Sequence, residues 1–151
     1  MKFIFEFYYL KVQLKQIISI KEFFMALLKE FKTIPELYEF LTEEFGKNNP
    51  ERFVMKQKVE KEWVGIKYAE FKEQTETFAL GLASLGVKRG DNVSIISENR
   101  PEWVYCDMAI LGLGAVDVPL YPSLTSDNIE FILNNSDSVG VICSTKLQLN
   151  K

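Results

Sequence analysis

The sequence predicts an α/β fold: a partial three-layer sheet of parallel strands with crossover helices, plus an N-terminal antiparallel hairpin. Three observations carry this. The short apolar runs VSII, VDVPL and VGVIC are each separated by a helix-patterned stretch, as a parallel sheet covered on both faces requires. Upstream, two alternating segments flank a charged turn, the mark of a hairpin. The chain has 151 residues, 47% hydrophobic and 26% charged, enough to bury roughly 70% of its unfolded surface without staples.

The elements follow in order. Thr33-Ile-Pro-Glu36 is a capping box with Pro in the first turn, a strong helix start. Leu37, Phe40, Leu41 and Phe45 mark its apolar face, and Gly46 with Asn48-Asn49-Pro50 stops it. Arg52–Gln57 and Lys61–Tyr68 read as two strands, with Phe53, Met55, Trp63 and Ile66 as their apolar positions. A long amphipathic helix spans Tyr68–Leu85 through Phe71, Thr75, Phe78, Leu82 and Leu85, capped by Gly86. Gly90-Asp91 turns into the strand Asn92–Ser97. Asn99-Arg-Pro-Glu102 opens a helix to about Leu113, with Asn99 as the candidate cap. The strand Ala115–Leu120 is closed by Tyr121-Pro122. Thr125 or Ser126 caps a helix to Asn134, and Val139–Cys143 is the last strand.

Charge is unevenly spread. Residues 1–32 carry six Lys against three Glu, whereas the whole chain has a net charge of −3. This 1–32 extension reads as helical in its second half, through Leu14, Ile17, Ile18, Phe24, Leu27, Leu28 and Phe31. Glu6 and the lysines break any membrane span or signal peptide. It is expected to be a packing helix, or upstream sequence read through with Met25 as the true start. Peripheral membrane contact through residues 1–31 is the less favoured alternative. Residues 33–151 form the second unit.

Much chemistry is excluded by composition. The chain has no His, which removes the usual proton shuttle, the commonest metal ligand and every His-based nucleophile pair. Cys106 and Cys143 are too far apart for a C-x-x-C motif and read as small core residues of a reducing, cytoplasmic protein. The acidic balance argues against nucleic-acid binding. Gly81-x-x-x-x-Gly86-Val87-Lys88 misses the phosphate-loop pattern because Val87 intervenes. Gly112-Leu-Gly114 lacks its third Gly, with Asp117 in that place. Glu43-Glu44 and Glu70, Glu73 and Glu76 read as solvated helix faces.

A more specific signal is the succession LGVKRGDNVSIISENRPEWV over 85–104, followed by AILGLGAVDVPLYP over 109–122. In order and spacing it closely resembles the N-terminal region of AMP-forming acyl-CoA synthetases, the adenylate-forming superfamily, and most of all the long-chain fatty-acid–CoA ligase type. The similarity runs from about Thr33 to the end and includes Tyr68-Ala-Glu-Phe71. The resemblance implies a two-step ligase that activates a carboxylate with ATP to an acyl-adenylate and passes the acyl group to coenzyme A. It implies ATP, CoA and Mg²⁺ for the whole enzyme and a fatty acid as substrate; the unpaired thiols and residues 1–31 suggest a cytoplasmic setting, with membrane-peripheral contact as the alternative. The family's Ser/Thr/Gly-rich phosphate loop with its Lys, its Thr-Glu segment at the metal, its ribose-binding Asp and its C-terminal Lys are not found in these 151 residues. The chain therefore reads as an AMP-binding domain truncated before the phosphate loop. As an isolated piece it is expected to be inactive, to hold none of these ligands strongly, and to carry no catalytic or metal-ligating residue.

One site remains. Tyr121, Pro122 and Ser123 follow a parallel strand's carboxyl end, where ligands of open α/β sheets bind, and the resemblance implies that this neighbourhood approaches CoA. A turn that merely aims the next helix is the plainer reading. Glu98-Asn99-Arg100, also after a strand, is second, with Glu98 or Arg100 pairing locally; Trp103 reads as core. Two other classes stay open: another adenylate-forming ligase (aryl-CoA ligase or peptide-synthetase adenylation domain), and a non-catalytic binding module. A membrane-surface adaptor driven by residues 1–31 is a third. Oligomeric state and acyl length are not legible.

Overall fold

The computed structural model describes residues 30–151. The expectations for a helical extension, a start at Met25 and a membrane contact through the first 31 residues fall almost wholly outside the described residues. The chain divides into Met1–Lys32 and Thr33–Lys151, and the second unit is the subject here.

Helix α1 (Ile34–Asn48) starts as its capping box demands, with the Glu36 amide donating to Thr33 Oγ1 at 3.3 Å. Strands β1 (Phe53–Val59) and β2 (Glu62–Lys67) form the antiparallel hairpin. Its two-residue turn holds Glu60 and Lys61 at φ of 48° and 82°, the primed geometry that matches strand twist. Helix α2 (Tyr68–Ser84) follows directly. Its apolar face is Phe71, Thr75, Phe78 and Leu82; Leu85, expected to extend that face, lies one residue past the helix and is 83% exposed. Gly86, at φ +96°, supplies the left-handed residue after the cap.

Strand β3 (Asn92–Ile96), helix α3 (Pro101–Gly112), strand β4 (Val116–Leu120), helix α4 (Ser126–Asn135), strand β5 (Ser138–Cys143) and the short helix α5 (Lys146–Leu149) complete the unit. The three strands are parallel in the order β4-β3-β5, as the apolar runs predict. Asn99 does not cap α3. Arg100 takes the N-cap position without a side-chain bond, because Pro101 at the first helical position moves the start by one residue. Thr125 is the N-cap of α4, also without a side-chain bond.

Alternation along β3 sends its neighbours to opposite faces. Val93 and Ile95 pack with Leu82 of α2 and with Cys106, Ala109 and Ile110 of α3. Ile96 packs with Leu120 and with Ile129 of α4 on the other side. The chain thus moves from β3 to β4 with α3 on one face, then back past β3 to β5 with α4 on the other. Reversing both direction and face keeps the same hand in both crossovers, and strand twist favours the right-handed one. The hairpin and α1 add a further cluster on α2 and α3, in which Ile66, Phe71 and Tyr105 are buried with Tyr38. Tyr38 and Phe71 meet edge-on, with ring centroids 5.2 Å apart.

Cys106 is core, as expected: 3% exposed, with burial first and then the Asp117 charge pushing its thiol up to about 12. That charge has a neighbour. Asp117 on β4 faces Asp107 on α3, and its Oδ1 is buried without a partner. Burial first, then the Asp107 carboxylate, pushes Asp117 up to about 7. A carboxyl whose folded pKa lies above its unfolded value loses stability as pH rises from the unfolded pKa to the folded one. Asp117→Asn is therefore expected to raise the unfolding midpoint at about pH 8, with the gain vanishing by about pH 4. Thermal melts across that range check it; an unchanged or lowered midpoint at the alkaline end contradicts it.

Candidate functional site

Because the strand order reverses around β3, the turns following β3 and β5 leave the same end of the sheet on neighbouring strands. The topological switch point therefore lies between these two turns. The turn after β3, Ser97–Arg100, is tied across it. The Glu98 carboxylate accepts from Ser144 Oγ and, at 2.9 Å, from Gln148 Nε2. The Ser144 amide donates to the Ile96 carbonyl at 3.1 Å, continuing the β3–β5 ladder by one bond. Thr145 Oγ1 caps α5 by accepting from the Gln148 amide at 3.3 Å, which places the Gln148 side chain beneath Glu98. Hydrogen bonds from Ser144 and then Gln148 hold the Glu98 carboxyl down at about 2. Glu98 is thus a fixed anion whose partners lie 46 and 50 residues away, not a local pair. Arg100 does pair locally: its guanidinium donates twice to Glu102, both at 2.7 Å, a bidentate fork that occupies it.

On the β4 side, Tyr121 and Pro122 follow Leu120, whose buried side chain anchors the strand end. A cleft of about 500 Å³ lies between the two turns, lined by Ser97, Glu98, Asn99, Trp103, Pro119 and Leu120, with Tyr121 and Pro122. Both segments singled out from the sequence therefore share one cavity. Ser123 does not line it. Tyr121 is 78% exposed, so a large aromatic stands at the mouth with its ring free to stack. Trp103 has two roles: half-buried, it packs against the core and also forms part of the wall. A smaller cavity of about 190 Å³ lies toward β5, between Phe78, Ile95, Trp103, Ile142, Cys143 and Ser144.

The donor set limits what the cleft can hold. Its walls offer aromatic and Pro surface, the Ser97 hydroxyl, the Asn99 amide and the Glu98 carboxylate, but no Lys or Arg. Lys151, nearby, donates to the Pro122 and Leu124 carbonyls. The neutral, flat or thioalkyl portions of a cofactor fit; a polyphosphate does not. Among the described residues no three Cys, Asp or Glu side chains come together to hold a metal ion, and no helix is long and apolar enough to cross a membrane. The sequence singled out Glu98 but missed Ser144 and Gln148, because that contact exists only once β5 has returned beside β3.

Comparison with known proteins bears on the family and the fold. Residues 42–151 match the family described as AMP-binding enzyme. The chain is 35% identical over 102 residues to long-chain-fatty-acid–CoA ligase FadD15 of Mycobacterium bovis, a match covering 68% of this chain and 17% of that protein. It is 36% identical over 84 residues to fatty acyl-CoA synthetase A of Dictyostelium discoideum, covering 56% and 12%. Among solved structures, the N-terminal subdomain of Klebsiella oxytoca NpsA, in complex with 3-hydroxyanthranilyl-AMSN, superposes with a TM-score of 0.64 at 25% identity over 76% of this chain and 28% of that one. The matched stretch thus spans about a sixth or less of the curated relatives' length. With a family match over more than two thirds of its residues and a sheet of the same architecture, the chain belongs to the AMP-binding, adenylate-forming enzyme family.

Proposed function

We propose that the chain is the N-terminal part of an AMP-binding domain in a long-chain fatty-acid–CoA ligase, and that Tyr121 and Pro122 face its coenzyme A. The reaction joins a carboxylate oxygen to the α-phosphorus of ATP and expels pyrophosphate. The thiol of CoA then attacks the acyl carbonyl and expels AMP. The observation supporting this reading is the cleft at the carboxyl ends of β3 and β4, whose aromatic lining has the Glu98 carboxylate and no Lys or Arg, and so suits the non-phosphate portions of CoA. The acyl specificity is carried over from relatives whose names describe fatty-acid ligases. In this reading triphosphate and metal are held by parts of the ligase other than this cleft, which has no Lys or Arg.

Within this reading Glu98 is a positioning residue. Its two long-range hydrogen bonds fix the Ser97–Arg100 turn against α5, so the cleft wall is preorganised before ligand arrives. Tyr121, by contrast, would touch the ligand. In the ligase that carries this chain, Tyr121→Ala is expected to raise the KM for CoA roughly tenfold, within the range of an aromatic–base stack of about 1–3 kcal/mol. Fatty-acid-driven pyrophosphate exchange should be unaffected, because that half-reaction precedes CoA. Loss of exchange with an unchanged KM for CoA would place Tyr121 elsewhere in the mechanism.

The isolated residues 1–151 are expected to catalyse no pyrophosphate exchange with a fatty acid and ATP. The donors around a triphosphate, a metal-holding carboxylate and a closing Lys must act together, and positioning cannot be tuned into existence without them. Radiolabelled exchange on the purified chain checks this. Robust exchange abolished by a substitution within the chain would contradict the proposal.

A further inference from the structure

The outer face of the β1–β2 hairpin has a composition that the ligase reading does not use. In an antiparallel pair, directly opposed residues share a face, and the register opposes Lys58 to Trp63, Lys56 to Gly65 and Phe53 to Lys67. These six residues therefore lie on one surface. The opposite face carries Met55 and Ile66, and Ile66 is buried against Phe71 and Tyr105, so the first surface points away from the core. On it Trp63 is 66% exposed and Phe53 43%. The Phe53 ring lies over Gly65, so close that a Cβ there would fall 2.3 Å from it; Gly65 is what lets the ring lie flat. Lys56 Nζ stands 5.4 Å from that ring's centroid. Neither Lys56 nor Lys58 has a carboxylate partner among the described residues, whereas Lys67 is engaged by Glu51 at 2.8 Å.

Charge separates the hairpin from the rest of the molecule. Residues 53–67 carry four Lys and two Glu, in a chain of net charge −3. Glu60 lies in the turn, and Glu62 opposes Val59 on the other face, so the outer surface presents cations and aromatics without an acid between them. Cations beside exposed amphipathic rings are what an anionic lipid surface selects: the indole settles at the headgroup boundary while lysine stems run along it with their ammonium groups toward phosphate.

We infer that the outer face of this hairpin, centred on Trp63 with Lys56, Lys58 and Phe53, docks on an anionic lipid surface. The surface is distinct from the cleft, more than 30 residues upstream of Ser97, and does not depend on the ligase reading. It also differs in sequence from residues 1–31, which belong to the other unit.

The test uses the whole 151-residue chain with vesicles of phosphatidylcholine alone and of phosphatidylcholine mixed with phosphatidylglycerol. Sedimentation should show binding to the mixed vesicles and much weaker binding to the neutral ones. Lys56→Glu with Lys58→Glu should weaken it by roughly fivefold or more per lysine, without altering the melting profile, since both side chains are exposed. Lipids brominated along the upper acyl chain should quench the protein's tryptophan emission, and Trp63→Phe should abolish that quenching, leaving half-buried Trp103 as an unquenched background. Binding unchanged in both variants would overturn the inference by placing any membrane contact elsewhere in the chain. Trp63 emission that responds to a soluble polyanion such as heparin but not to vesicles would overturn it in favour of a macromolecular partner.

Discussion

The fold depends on one constraint: strand β3 is covered on both faces and flanked on both edges. Val93, Ser94, Ile95 and Ile96 are all at most 2% exposed, which leaves no water for any of their backbone groups. Each N–H and C=O must find a partner within the sheet, so β3 is paired on both sides, by β4 and by β5. Each face must then be covered by a helix. Parallel pairing requires crossovers, and a strand paired on both edges requires the chain to go out on one side and return on the other. The meeting of the β3 and β5 exits, where Glu98 binds Ser144 and Gln148, follows from this path.

Polar side chains within this strand obey the same rule. Ser94, fully buried, shares a hydrogen with Ser138 at 2.7 Å, and the Asn92 amide donates to the Ser136 carbonyl at 2.6 Å. These bonds link the entry of β5 to the entry of β3, while Glu98 with Ser144 and Gln148 links their exits. The β3–β5 pair is therefore fastened at both ends, and β4 holds the face where Tyr121 stands. Asp117 breaks this pattern. An unpartnered oxygen beside a second carboxyl is a polar cost, and the cleft gives it no role.

What the sequence showed and what it hid divide along the range of the interactions. Apolar runs, capping boxes and a charged turn are local, so the parallel strands, the hairpin and the start of α1 were all legible. The exposure of Leu85 was not: it continues the helical spacing of Leu82, but the helix ends before reaching it. Trp63 and Ile66 are both apolar positions of β2, three residues apart and so on opposite faces; Trp63 shares the outer face with Lys58 while Ile66 is buried. A bulge between Phe53 and Met55 shifts the register, and alternation counted along one strand cannot reveal that. Tyr121 and Glu98 were legible as turns after strands, whereas their meeting in one cavity required the strand order. Ser144 and Gln148 bore no signal of their own.

The central claim is that the turns after β3 and β4 together face coenzyme A. Amide hydrogen exchange on the ligase carrying this chain, with and without CoA, measures this most directly. Slower exchange is expected in both 97–100 and 121–124, with the hairpin 53–67 unchanged. Protection confined to other segments, or to only one of the two turns, would contradict the account.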